Sequence, residues 1–107
     1  MEMSNLKFAK KSRISSQEII NAMKSDRCEI CGNYCSNEPH HVISRGAGGP
    51  DIPENMIQLC GKCHRKAHNG DFDKMWLFNI ISRRMHKKRR EILETVNSFR
   101  PTKYTED

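Results

Sequence analysis

The sequence predicts a small α+β domain held together by metal, with a cluster of histidines carried on two short strands and a helix. Three observations predict it. Only 36% of the 107 residues are apolar, and so short a chain has too little interior to be stable without a staple. Two Cys-x-x-Cys pairs, Cys28/Cys31 and Cys60/Cys63, stand 28 residues apart. Between and just after them the hydrophobic pattern runs strand, loop, strand, helix.

The elements follow in order. Residues 1–13 are polar and basic with no hydrophobic period, so a flexible basic arm is expected over 1–15. Ser15-Ser16-Gln17-Glu18 fits a capping box, and Ile19, Ile20 and Met23 recur at helical spacing, which predicts a short helix over about 16–24 packed on the central module. Residues 28–39 form a polar knuckle in which Gly32 and Asn33 turn the chain after Cys31. His41-Val42-Ile43 is β-branched and reads as a strand, whereas Gly46 to Pro53 holds too much Gly and Pro for regular structure. Met56-Ile57-Gln58-Leu59 reads as the returning strand. His64 to His68 has helical composition, stopped by Asn69-Gly70. Asp71 is a plausible N-cap for a long C-terminal helix over about 72–97 with an apolar stripe of Phe72, Trp76, Ile80, Leu77, Ile81 and Met85, which reads as core. The stripe lapses through His86 to Arg90 and resumes at Ile92, so this helix is continuous or breaks in the basic run. The whole makes one domain over 16–99, with 100–107 as a tail.

A two-residue gap lets both thiolates of a Cys-x-x-Cys pair reach one tetrahedral ion, so Cys28, Cys31, Cys60 and Cys63 are expected to bind a structural Zn²⁺. Such sites contribute about 10–16 kcal/mol in small peptides. Cys35 is the odd thiol and reads as a bystander. Disulfides are the competing reading. No apolar segment follows the basic N-terminus, which speaks against a secretory signal and an oxidising compartment, and no run approaches the length of a membrane span. A soluble, cytoplasmic protein with no membrane partner is expected.

Four of the five histidines lie between residues 40 and 68. His64 and His68 are four apart and share a helix face, so two imidazoles can chelate one ion. His40 or His41 can supply a third ligand. Adjacent strand residues point to opposite faces, which leaves one of the two free as a base, and histidine is the side chain suited to take a proton near neutral pH. The net charge of +6 is uneven: +3 over residues 1–27, −1 over 28–71 and +4 over 72–107. A near-neutral centre between two positive arms suits a polyanion. Arg45 can clamp a phosphate, and Arg83, Arg84, Lys87, Lys88, Arg89 and Arg90 can track a nucleic-acid backbone.

The run His40-His41, Gly48-Gly49, Glu54-Asn55, Leu59-Cys60-x-x-Cys63-His64 and His68, together with the first Cys-x-x-Cys pair, resembles the HNH or ββα-metal (His-Me finger) endonucleases. The likeness is to their zinc-stapled four-cysteine branch, found in phage, restriction and mobile-element nucleases, and covers about residues 28–70. It implies a ββα-metal motif with a four-cysteine zinc knuckle, flanked by the short N-terminal and long C-terminal helices. It also implies a DNA endonuclease, acting on double-stranded DNA in a bacterial or phage-infected cell. By the resemblance His41 is the general base, His40, His64 and His68 hold one catalytic divalent ion, and Asn55 orients the base through its side-chain amide. Family members with Asp at the place of His40 are common, and an all-imidazole shell favours Zn²⁺, Ni²⁺ or Mn²⁺ over Mg²⁺. A one-ion mechanism leaving 5′-phosphate and 3′-hydroxyl ends follows. A zinc-bearing nucleic-acid-binding module without hydrolytic activity is the alternative. A thiol-exchange protein is disfavoured because no βαβ pattern surrounds either cysteine pair.

Overall fold

Two strands of only two residues each, followed by a helix, make up the centre of the molecule, and the side chains around them explain why they are so short. The computed structural model describes residues 15–100 and Tyr104. Most of the expected basic arm and most of the tail therefore lie outside the described residues. Helix α1 spans Gln17–Met23. Its N-cap is Ser16, whose hydroxyl accepts from the Ile19 amide at 3.2 Å. The cap thus falls one residue later than a box built on Ser15 requires. Ile20 is the one buried residue of this helix.

Strand β1 (His40–His41) pairs antiparallel with β2 (Met56–Ile57), His40 opposite Ile57 and His41 opposite Met56. The expected strand over 41–43 is displaced towards its start for a clear reason. The Asn55 side chain takes both backbone groups of Ile43, accepting from its N–H at 2.9 Å and donating to its carbonyl at 3.0 Å. A side-chain amide here replaces a ladder partner. The second strand is cut short in the same way. The Gln58 carbonyl accepts from the Glu29 N–H at 2.8 Å, the Gln58 N–H donates to the Glu29 carboxylate at 2.9 Å, and the Asn37 side chain donates to the Leu59 carbonyl at 2.8 Å.

The connection between the strands is the loop the Gly and Pro content predicts, with single 3₁₀ turns at Arg45–Ala47 and Pro53–Asn55. Gly49 is indispensable in it, because a Cβ there falls 1.8 Å from the Ile43 carbonyl oxygen. Helix α2 spans Gly61–His68, beginning three residues before His64 because the second Cys-x-x-Cys pair forms its first turn. The Cys60 sulfur caps it, accepting from the Cys63 amide at 3.5 Å. Asn69 closes it, and Gly70 takes a left-handed φ of 83°.

The C-terminal stretch breaks within the basic run. Helix α3 is Lys74–Met85, helix α4 is Arg89–Asn97, and His86 between them sits in the left-handed region at φ 57°. The N-cap of α3 is Asp73 rather than Asp71, without a side-chain capping bond. The buried face of α3 is also rotated from the stripe expected: Met75, Leu77, Phe78 and Ile81 are buried, while Trp76 is 41% exposed beside Phe72. Phe78 and Ile81 join Ile92, Val96, Ile57 and Leu59 in the core. Among the described residues no helix is long and apolar enough to cross a membrane.

Candidate active site

Four thiols converge where the knuckle meets α2. The sulfurs of Cys28, Cys31, Cys60 and Cys63 all lie within 4.8 Å of one another. Cys31 and Cys60 are 3.7 Å apart, and the Ile30 amide points at the Cys28 sulfur at 3.4 Å. Burial opposes charge on Cys28, yet N–H groups of Cys31, Cys60 and Ile30 outweigh it and bring the thiol down to about 6. Burial pushes Cys63 the other way, to about 12. Cys35 stays outside the cluster, buried with its sulfur 3.7 Å from the Ser25 carbonyl, as a bystander should be. A four-thiolate donor set of this kind suits a tetrahedral zinc ion.

The second convergence is of imidazoles. One ring nitrogen from each of His40, His64 and His68 lies within 4.8 Å of the others. The rings meet edge to face, with centroids 5.1, 5.4 and 4.5 Å apart. The helix brings His64 and His68 to one side, and the β1 register brings His40 over them. Burial, then the neighbouring His64 and His68, lowers His40 to about 4, and burial also lowers His64. Both are therefore neutral at physiological pH, the state in which imidazole donates to a metal. The donor set fits a divalent transition ion.

His41 leaves this cluster, as alternation along a strand requires. Its Nε2 lies 2.7 Å from Oδ1 of Asp51, a residue with no solvent exposure. The Asn55 amide also donates to the Pro50 carbonyl at 3.1 Å, so it clasps the loop to the strand end two residues beyond His41. Asp51 makes the contact with the His41 ring. Sequence reasoning gave it no role, since an acid after Gly-Pro in a loop reads as a turn residue.

All four histidines line one cleft of about 530 Å³. Arg45, Lys74 and Arg100 line it too, so the cations nearest the imidazoles are not those of the basic run. Arg45 contacts Asp51 at 3.3 and 3.4 Å, and Arg100 donates to the Ala47 carbonyl at 3.1 Å. Lys74 and Arg100 carried no sequence signal, because neither sits in a motif.

The basic run divides. Arg84 is a strut: it donates to both Glu29 carboxylate oxygens at 3.0 and 2.8 Å, to the Met56 carbonyl at 3.1 Å and to the Pro53 carbonyl at 2.6 Å. Lys87 pairs with Glu54 at 3.3 Å, and Arg89 donates to Asn79 at 3.3 Å. Arg83, Lys88 and Arg90 are exposed.

A family model described as HNH endonuclease matches residues 28–70. The type IV methyl-directed restriction enzyme EcoKMcrA of Escherichia coli (strain K12) is 40% identical over 50 residues, which is 38% of this chain and 18% of that protein. Anaredoxin of Nostoc sp. (strain PCC 7120 / SAG 25.82 / UTEX 2576) is 34% identical over 56 residues, 51% of this chain and 74% of that protein. This chain thus spans under a fifth of the restriction enzyme. No solved structure matches it.

Proposed function

From the match of residues 28–70 to the HNH endonuclease family, we propose that the chain is a metal-dependent endonuclease hydrolysing phosphodiester bonds of duplex DNA. The observation that carries the reading is the convergence of His40, His64 and His68 with a fourth imidazole, His41, in the same cleft. A staple needs only the cysteines. Three imidazoles opening on a cationic cleft call for a second, chemical role.

His40, His64 and His68 would hold the divalent ion. When bound, that ion supplies positive charge at the phosphate and the leaving oxygen. His41 accepts a proton from water, and the resulting hydroxide attacks phosphorus in line. The bond from phosphorus to the 3′-oxygen breaks, its electron pair leaves with that oxygen, and solvent protonates it. The products carry 5′-phosphate and 3′-hydroxyl ends. Asn55 holds the loop that frames the base, and Gly49 lets that loop close. Arg45, Lys74 and Arg100 are placed to bind phosphates at the cleft, while Arg83, Lys87, Lys88 and Arg90 are the exposed Lys and Arg residues of the basic run, able to meet flanking backbone. Each phosphate so neutralised steepens the salt dependence of duplex binding by about 0.9.

The test is supercoiled plasmid incubated with protein and Mn²⁺, Ni²⁺, Zn²⁺ or Mg²⁺ in turn. Nicking is expected, stronger with the transition ions than with Mg²⁺. The His41→Ala variant should nick on the order of 10²–10⁴-fold more slowly. No nicking with any ion refutes the activity, and nicking unchanged in the variant refutes the base.

A further inference from the structure

Asp51 lies in a loop of glycine and proline, yet its side chain is wholly buried. A carboxylate withdrawn from water is costly unless donors replace its hydration. Ser16, His41 and Arg45 are among those that do so. The Ser16 amide donates to Oδ2 at 2.8 Å, His41 Nε2 meets Oδ1 at 2.7 Å, and Arg45 reaches both oxygens at 3.3 and 3.4 Å. Burial alone raises the Asp51 carboxyl, but the Ser16 amide, His41 and Arg45 together outweigh it and hold it below its usual range. It is therefore an anion at neutral pH.

An ionised carboxylate accepts hydrogen bonds and donates none. The hydrogen in the short contact with His41 must then sit on Nε2. In a neutral imidazole the other nitrogen, Nδ1, then bears the lone pair. The β1 backbone fixes where the ring starts, and Asp51 fixes how it is turned. The Ser16 bond also fastens the cap of α1 to this acid, so the N-terminal helix buttresses the same carboxylate.

We propose that Asp51 is the positioning residue of the hydrolytic site, locking His41 in the Nε2–H tautomer and leaving Nδ1 as the ring's sole proton acceptor. The inference rests on the reading of His41 as the base. It assigns the orienting role, which the family resemblance gives to Asn55, to a buried carboxylate.

The replacement that isolates this role is Asp51→Asn, which keeps the shape and removes the charge. The Ser16 backbone N–H can neither change its character nor move away, whereas the half-exposed Arg45 side chain can swing off Oδ1, so the amide oxygen faces Ser16 and the NH₂ group faces His41. The imidazole can satisfy that donor only by moving its hydrogen to Nδ1. Long-range ¹H–¹⁵N correlation spectra of the zinc-loaded protein report which ring nitrogen is bare. The unaltered protein should show hydrogen on Nε2 of His41, and the variant should show it on Nδ1. In plasmid nicking with Mn²⁺, kcat should fall on the order of 10²–10⁴-fold, the scale of loss when a base is held in the wrong tautomer. KM for DNA and Mn²⁺ affinity should stay within about twofold, which a merely structural role would not produce.

Hydrogen on Nδ1 of His41 in the unaltered protein overturns the proposal, as does a variant kcat within about twofold of the original. If the variant does not fold, the spectrum of the unaltered protein decides alone. Absence of cleavage by the unaltered protein overturns the nuclease reading instead, so the two failures are distinguishable.

Discussion

Gly49, Asn55 and Ile43 meet at a point where a single methyl group decides whether the loop closes. A Cβ on Gly49 falls 1.8 Å from the Ile43 carbonyl oxygen and 2.8 Å from the Asn55 amide nitrogen. The Gly49→Ala variant must open the clasp, and urea unfolding should show a loss of about 1–3 kcal/mol, as in other overpacked sites. Asn55→Ala leaves the Ile43 N–H and carbonyl and the Pro50 carbonyl without their partner, at a cost on the order of 3 kcal/mol in the same measurement. His40 supplies a pH dependence. Its value is about 4 in the folded chain against 6.5 for the free side chain. Above pH 6.5 both states are neutral there. As pH falls from 6.5 towards 4 the unfolded chain takes up the proton first, so stability is lost across that window. Urea midpoints at pH 7, 6 and 5 should therefore fall faster in the metal-stripped histidine site than in a His40→Gln variant. The two clusters able to hold metal were legible in the sequence because their signal is local: a two-residue gap for thiols, a four-residue spacing for imidazoles. Asp51 was not, because its burial is set by Ser16, His41 and Arg45, which lie 35, 10 and 6 residues away.

Strands of two residues are too short to stand alone, and side-chain amides compensate for them. Asn55 completes β1, and Gln58, wholly buried, ties the strand end to the knuckle through Ser25 and Asn37. The order strand, loop, strand, helix was readable from hydrophobic and turn patterning, but the ends were not, since those ends are fixed by distant side chains. The rotated face of α3 has the same origin. Phe78 is buried and Trp76 is not, a choice made by the elements packed against the helix and invisible to a periodicity that fits both. The break between α3 and α4 rests on His86, a non-glycine residue in the left-handed region. Glycine occupies that region without the steric cost of a side chain. His86→Gly should raise the stability measured by thermal unfolding by about 0.5–1 kcal/mol, and His86→Val should lower it. A continuous helix in solution would reverse this, since glycine within a helix destabilises it.

At the scale of the molecule, two clusters able to hold metal divide the labour in the proposed function, one of thiols to hold the chain and one of imidazoles to act. Cys63→Ser should lose its zinc and its cooperative thermal transition together. His68→Ala, at an exposed ligand position, should melt within about 4 °C of the original. Arg84 joins the two regions mechanically, linking Glu29 of the knuckle to the carbonyls of Met56 and Pro53 beside the loop. The positive ends of the sequence pointed to a polyanion, but Lys74 and Arg100, which line the cleft, emerged only from the fold. The central claim is that His40, His64 and His68 share one ion distinct from the zinc staple. Metal content per chain, before and after mild chelation, tests it most directly. Two ions per chain are predicted, one removed without unfolding and not regained by a His64→Ala variant. A single ion per chain at saturating metal, or two ions retained in that variant, would contradict it.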